Sequence, residues 1–383
     1  MTLTEKIKSK ALELGYIDVG VCSADEFTEY IDELGSRTDT YDFYISNARS
    51  PLTGAAPKKT NPEAKSIISL AYGFSHIAFP EKLIGKVGRA YQARCYNPRE
   101  KTMNGARIGL FKEFLKDNGI NVCKGTTVPD RLAAARAGIA TYGKNNFAYV
   151  KGTGSFVILT SVVVDRELDY DEPTIKRQCP QDCHICIDSC PTGAIEAPGV
   201  LNPRKCLAFN NWFTQENWLP PNKDGSPITH IPHDIRDKMG LRIHGCDVCQ
   251  EVCPRNKAVL SKACVKDNFL ELTAEKFDLA KVLNMDDEYY EEVVWPIMYN
   301  YIRGIRYFRR NAAIAIGNSR DEKYVPDLIT AAQDSDPLIR EYAVWALGKI
   351  GGIEAINYLN ELNKTENDSA VRAEIKLALE KNR

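Results

Sequence analysis

The sequence carries almost no net charge: 50 Lys and Arg stand against 51 Asp and Glu, leaving −1 over 383 residues. That excludes nucleic-acid binding by a basic field over the whole surface, so any such contact has to rest on a local patch. Apolar runs of the roughly 18–20 residues that a membrane span needs are also missing. The opening stretch, "MTLTEKIKSKALELG", alternates charge with aliphatics and has no apolar signal-peptide region. It reads as an ordinary amphipathic helix on a cytoplasmic chain with no membrane partner. A disulfide framework is thereby excluded, and the 12 cysteines point to metal or redox chemistry in a reducing compartment.

What is present is the composition of a folded protein, 44% hydrophobic and 26% charged, long enough for two or three domains. Up to about residue 175 helix and strand signals alternate. "TEKIKSKALELG", "NGARIGLFKEFLKDNG" and "PDRLAAARAG" predict helices; "IDVGVCSA", "AKSIISLAYGF", "INVCKG" and "GSFVILTSVVVDREL" predict strands. Residues 1–175 thus form an α+β or α/β layered domain, and pattern alone does not choose between the two. Residues 176–262 hold eight of the cysteines and a Pro-rich insert, "NWLPPNKDGSPITHIPHD". From 263 to 383 the chain turns helical. "RRNAAIAIG" from Arg309, "REYAVWALG" from Arg340 and "RAEIKLALE" from Arg372 superpose at spacings of 31–32 residues. Each is followed or preceded by a second helix, which predicts an all-α, HEAT-type repeat tail that presents a surface to a large partner.

The cysteines carry the chemistry. "CPQDCHICIDSCPTGAI" spans residues 179–195, and "GCDVCQEVCPRN" follows at 245–256. A bacterial ferredoxin run reads C-x₂-C-x₂-C-x₃-C-P, with the fourth cysteine ligating the other cluster of a pair. By that cross-ligation Cys179, Cys183, Cys186 and Cys253 hold one [4Fe–4S] cluster, and Cys190, Cys206, Cys246 and Cys249 hold the other. Zinc also uses C-x₂-C pairs, and buried free thiols are a third alternative; the doubled C-x₃-C-P ending speaks for iron–sulfur. The first gap, between Cys179 and Cys183, is one residue too long. Either a bulge delivers Cys179, or His184 or solvent replaces it. Cys22, Cys123 and Cys264 read as small buried hydrophobes.

With "ARAGIATYGKNNF", "GSFVILTSVVVDREL", "CPTGAI", "MGLRIHGCDVCQEVCPRN" and "YFRRNAAIAIGN" in this order, the sequence resembles the epoxyqueuosine reductases, cobalamin-dependent iron–sulfur enzymes related to reductive dehalogenases. The resemblance covers most of the chain. It implies a cobalamin-binding N-terminal domain, two [4Fe–4S] clusters in a ferredoxin-like segment that supply electrons singly to make Co(I), and reduction of the epoxide of epoxyqueuosine in tRNA to queuosine. It further implies cobalamin contacts from Ala137, Gly138, Gly143, Lys144, Asn145 and Ser155. Of these, Lys144 and Asn145 can bond amide or phosphate edges. An electron donor such as ferredoxin or flavodoxin is implied too, to a monomeric enzyme.

The sequence departs from the family pattern where acids are expected. Lys124 stands just before "TTVPDR", and "RCYN", Arg94 to Asn97, replaces a typical Arg-Asp-Tyr-His. Cys95 and Tyr96 become the candidate catalytic groups, Tyr96 the leading proton donor; Asp130 reads as a helix-dipole partner. In "YIRGIRYFRRN", Arg303, Arg306, Arg309 and Arg310 are candidate tRNA contacts, interleaved with Tyr for stacking. The alternative is a solvated helix whose arginines pair with Glu291 and Glu292. Two other functional readings fit the departures: a related cobalamin reductase acting on a different, small-molecule substrate, and a non-enzymatic two-cluster electron carrier on a HEAT scaffold.

Overall fold

A computed structural model of the chain describes residues 1–45, 51–95, 102–174, 178–213, 230–299 and 304–382. Tyr96 and Arg303, and most of the Pro-rich insert, lie outside the described residues. The backbone divides into two compact units: residues 1–78, 95–204 and 248–265 form one, and residues 79–94, 205–247 and 266–383 the other. These units do not follow the consecutive segments 1–175, 176–262 and 263–383. The cysteine-rich segment is shared out, its two ends in the first unit and its middle in the second.

In the first unit, helix α1 (Leu3–Glu13) starts at Thr2, whose hydroxyl accepts the Glu5 N–H while the Glu5 carboxylate accepts the Thr2 N–H. This reciprocal box satisfies two donors that a helix start leaves orphaned. Strands β1 (Asp18–Ser23) and β2 (Ser66–Gly73) pair antiparallel, with Val21 opposite Ile68. A third long strand, which becomes β5 in chain order after the short hairpin β3 (Thr141–Tyr142) and β4 (Ala148–Tyr149), covers Val157–Val164. It pairs antiparallel with β2, so the sheet runs β1-β2-β5.

Alternation along these strands explains the layers. Val19, Val21, Ile68, Leu70, Val162 and Val164 face one way and pack on Ile7 and Ala11 of α1 and on Phe111 and Leu115 of α2 (Met103–Asp117). Cys22, Ile67 and Val163 face the other way, onto Phe27 and onto Leu132, Ala133 and Ala137 at α3 (Asp130–Arg136). A sheet apolar on both faces requires helices on both. Because both strand pairings of this sheet are antiparallel, the architecture is α+β, the choice the sequence pattern leaves open. The stretch "INVCKG" makes one rung only, Val122 opposite Val164, because the chain turns at Lys124 and Gly125.

The second unit is built on helices α5 (Ile305–Ser319), α6 (Val325–Ala331), α7 (Pro337–Ile350), α8 (Ile353–Thr365) and α9 (Ser369–Lys381), with α4 (His233–Lys238) added from earlier in the chain. The repeat has a steric basis. A Cβ on Gly317 of α5 would lie 2.9 Å from Cα of Ala346 on α7, and one on Gly348 of α7 would lie 2.4 Å from Cβ of Ala378 on α9. Glycine in one repeat therefore meets alanine in the next, at the same register each time, and the helices cross in close contact. The arginines that open the first two motifs are used the same way. Arg309 pairs with Asp334 at 2.6 Å, and Arg340 with Glu366 at 2.8 Å.

Candidate iron–sulfur site

The first unit brings Cys179, Cys183, Cys186 and Cys253 onto one recess, lined also by Lys144, Asn145, Tyr149, Ile185 and Pro254. Three local structures present the thiols. Cys179 and Cys183 flank a turn at Gln181 and Asp182; Cys186 sits on the one-turn helix Ile185–Asp188; Cys253 is the residue before the helix Pro254–Leu260. Pro254 is the first residue of that helix, where its missing N–H costs nothing, so Cys253 keeps an extended backbone, φ −68° and ψ 123°. Hence the use of Cys-Pro.

Zinc needs its donors about 2.0–2.3 Å from one centre, and among the described residues no group of three His, Cys, Asp or Glu is so arranged. Four thiols from two separate segments lining one recess suit a multi-atom inorganic core. Burial, and then the neighbouring thiol of Cys179, raise the Cys186 thiol above its ordinary pKa; covalent bonds to iron are what would offset this.

Behind the recess lies the hairpin β3–β4. Lys144 Nζ donates to the carbonyls of Pro180, Gln181 and Cys183 at 2.8, 2.7 and 2.8 Å. Asn145 is buried, and its amide nitrogen donates to Tyr149 Oη at 2.9 Å and to the Cys249 carbonyl at 3.0 Å. The Tyr149 hydroxyl in turn bonds the Cys253 side chain; burial first, then that thiol, push its pKa up. Arg255 lies over the Tyr149 ring at 4.1 Å. Ser155 accepts from Asn256 Nδ2 at 2.7 Å and donates to Gln250 at 2.8 Å, within the segment that carries Cys249 and Cys253.

Lys144, Asn145 and Ser155 were candidates to face cobalamin, yet their polar atoms are spent on the cysteine loops: an ammonium has three donors, and all three of Lys144 are taken. Ala137 is buried at the end of α3, and Gly138, at φ +78°, closes that helix with its α-carbon where a Cβ would come 2.6 Å from the Glu172 carbonyl. Gly143 lies where a Cβ would come 2.5 Å from both Asn145 and Tyr149.

Of the other four cysteines expected as ligands, Cys190 and Cys249 belong to the first unit and Cys206 and Cys246 to the second. Burial opposes ionisation of Cys190, but N–H groups of Thr192, Ala194 and Ile195 and the Thr192 hydroxyl outweigh it and lower its pKa; the Ala194 N–H lies 3.2 Å from Sγ. In the second unit, Asn211, just after Cys206, exchanges two hydrogen bonds with Gly245, just before Cys246, at 3.0 and 2.9 Å. Asn311 on α5 then donates to the carbonyls of Asn211 and Ile243, both at 2.8 Å. Asn311 is a functional residue that sequence reasoning missed. The signal was its place in the repeat motif "RRNAAIAIG", where an aliphatic surface has no use for an amide.

The remaining cysteines and the arginines divide. Cys22 and Cys123 are buried as expected, the Cys22 thiol pushed up to about 12 by burial, whereas Cys264 is exposed. Cys95 is buried. Asp130 opens α3 and accepts the Ser161 N–H at 2.9 Å. Arg310 is fully buried, its Nε donating to Asn311 at 3.0 Å, so it cannot meet a phosphate; burial lowers it to about 10. Arg306 and Arg309 pair with Asp336 and Asp334.

Comparison with known proteins agrees with this geometry. The description "4Fe-4S double cluster binding domain" matches residues 178–256, and "HEAT repeats" matches 306–380. The epoxyqueuosine reductase of Bacillus anthracis is 30% identical over 99% of this chain and 97% of its own length. The chain belongs to the epoxyqueuosine reductase family. The Staphylococcus aureus enzyme is 29% identical over 97% of this chain and 95% of its own. A crystal structure of an epoxyqueuosine reductase with an epoxyqueuosine-modified tRNA-Tyr stem loop superposes with a TM-score of 0.80 at 26% identity, covering 99% of this chain and 98% of that one. As in the family, a mixed α+β part, a double-cluster domain and a HEAT tail make up the chain. Among the described residues no helix is long and apolar enough to cross a membrane.

Proposed function

We propose that this chain reduces the epoxide of epoxyqueuosine in tRNA to the alkene of queuosine, as its family name implies. The net step consumes two electrons and two protons and releases the epoxide oxygen as water. The observation that carries the proposal is the four-thiol recess, set in a chain alike to its relatives along nearly its whole length. Cys179, Cys183, Cys186 and Cys253 are proposed as ligands of one [4Fe–4S] cluster, and Cys190, Cys206, Cys246 and Cys249 of the other, delivering electrons one at a time from a small donor such as ferredoxin or flavodoxin. Cobalamin is proposed as the cofactor on the family resemblance, with its seat elsewhere than on the side chains that hold the cysteine loops. A cytoplasmic monomer fits this reading. Tyr96 is the proposed proton donor; unchanged turnover in Tyr96→Phe would remove it from that role.

The test is anaerobic turnover of epoxyqueuosine-containing tRNA by protein loaded with iron, sulfide and cobalamin and supplied with a strong reductant. Loss of one oxygen from the modified base, read by mass spectrometry, is the expected result. Fully loaded protein that makes no product would overturn it and favour a different substrate, the reading that Lys124 and Cys95 at the acid positions support.

A further inference from the structure

The first cysteine gap has one residue more than the ferredoxin spacing, and the structure shows what that residue does to the loop. With Gln181 and Asp182 in the turn, the carbonyls of Pro180, Gln181 and Cys183 point to one spot, each 2.7–2.8 Å from Lys144 Nζ. Three carbonyl oxygens brought together repel one another unless a cation lies between them. The Lys144 ammonium is that cation, its three donors matched to three acceptors. Its own backbone is fixed from both sides. Gly143 N–H bonds Phe147 across the hairpin at 2.9 Å, and the Lys144 carbonyl accepts the Gly199 N–H at 2.7 Å. The same side chain lines the thiol recess.

We propose that Lys144 is a positioning residue for the first [4Fe–4S] site: it closes the four-residue turn that carries Cys179 and holds a fixed positive charge beside the cluster. The inference rests on Cys179, Cys183, Cys186 and Cys253 being ligands. A cluster bound by four thiolates is anionic and gains a further negative charge on reduction. A nearby cation therefore stabilises the reduced form more than the oxidised form, and net charge and hydrogen bonding are recognised controls of cluster potential. Lys144 makes the first site easier to reduce than the loop alone would. Its removal lowers the potential, opens the loop, or does both.

The experiment uses the full-length, cluster-loaded protein, with iron content and an EPR-monitored redox titration as readouts. Cys183→Ser tests the ligand reading on its own and should cost half of the iron. Lys144→Met should either shift the midpoint of one cluster negative by at least a tenfold change in its oxidised-to-reduced ratio, about 59 mV for one electron, or lose the same half of the iron. Lys144→Arg, which keeps the charge, should stay nearer to wild type. Deleting Gln181 to restore the ordinary gap should recover any iron that Lys144→Met loses. If Cys183→Ser loses half of the iron while Lys144→Met keeps all of it at an unchanged midpoint, the role of Lys144 is overturned and the ligand reading stands. Loss of both clusters from Lys144→Met, not recovered by the deletion, would also overturn it, as a general folding defect.

Discussion

Single side chains in this protein hold whole loops, and the amides show it most directly. Asn311 lies fully buried on α5 and satisfies two carbonyls, one on each side of the Cys206 and Cys246 segments. Replacing it by leucine leaves both carbonyls without their donor, at about 1–3 kcal/mol each. Asn311→Leu should therefore lose iron from the second site while the first keeps its EPR signal, so iron per chain should fall by half. Tyr149 offers a finer probe. Tyr149→Phe removes the hydroxyl that neighbours Cys253 and accepts from Asn145, which keeps its bond to the Cys249 carbonyl, so iron content should hold while the first cluster's midpoint moves negative. Neither role was legible beforehand. The cysteine pattern could be read because ligation demands one residue type at near-fixed spacing. Lysine, asparagine and tyrosine each serve many purposes, and what they touch is set by distant segments.

At the scale of elements, the repeat was legible and its mechanism was not. The aliphatic period and the arginine at the head of each motif announce stacked helices, and the structure contains them. What the period could not tell is that Gly317 and Gly348 are the points where successive helices touch. Gly348→Val places two methyl groups where Ala378 already stands 2.4 Å from the added Cβ. Overpacking of this kind costs about 1–3 kcal/mol, which should appear as earlier denaturant unfolding followed through Trp345, buried on α7. The arginines misled for a related reason. A run of four basic residues looks like a surface for phosphate, but a helix turns each residue by a fixed angle, and Arg310 faces inward. Strand direction was also beyond reach, since a buried strand has the same apolar run whether its neighbours lie parallel or antiparallel.

In the second unit, charge is carried into the interior on a larger scale. Arg236 on α4 is buried and reaches Glu341 on α7 at 2.8 Å and Glu374 on α9 at 3.2 Å, while His230 and His233 bond the same two carboxylates at 2.6 and 2.8 Å. Truncating one member of a buried ion pair costs about 3–5 kcal/mol, because its partner stays buried and uncompensated. Arg236→Ala should lower the unfolding midpoint accordingly and speed amide exchange in residues 231–240. The pH dependence has a definite sign. Burial would raise the Glu341 carboxyl, but the bond from His230 and the charge of Arg236 outweigh it and hold its pKa below the ordinary 4.5. Its contribution to stability is therefore present above pH 4.5 and is lost as the pH falls through the lower, folded-state value. Protection of α7 amides, taken relative to the intrinsic pH-dependent exchange rate, should fall on that acid side; protection that instead rises as the pH falls would mean that Glu341 is neutral in the folded protein.

The recess that gathers Cys179, Cys183, Cys186 and Cys253 takes its last member from far down the chain, 67 positions after Cys186. A ribosome adds about 5–20 residues per second, so that interval lasts on the order of 3–13 s. Throughout it, three of the four thiols proposed as ligands have been made and the fourth has not. On the proposed ligation the first cluster can be completed only after the segment bearing Cys253 has emerged, which makes its insertion a late event in the life of this molecule.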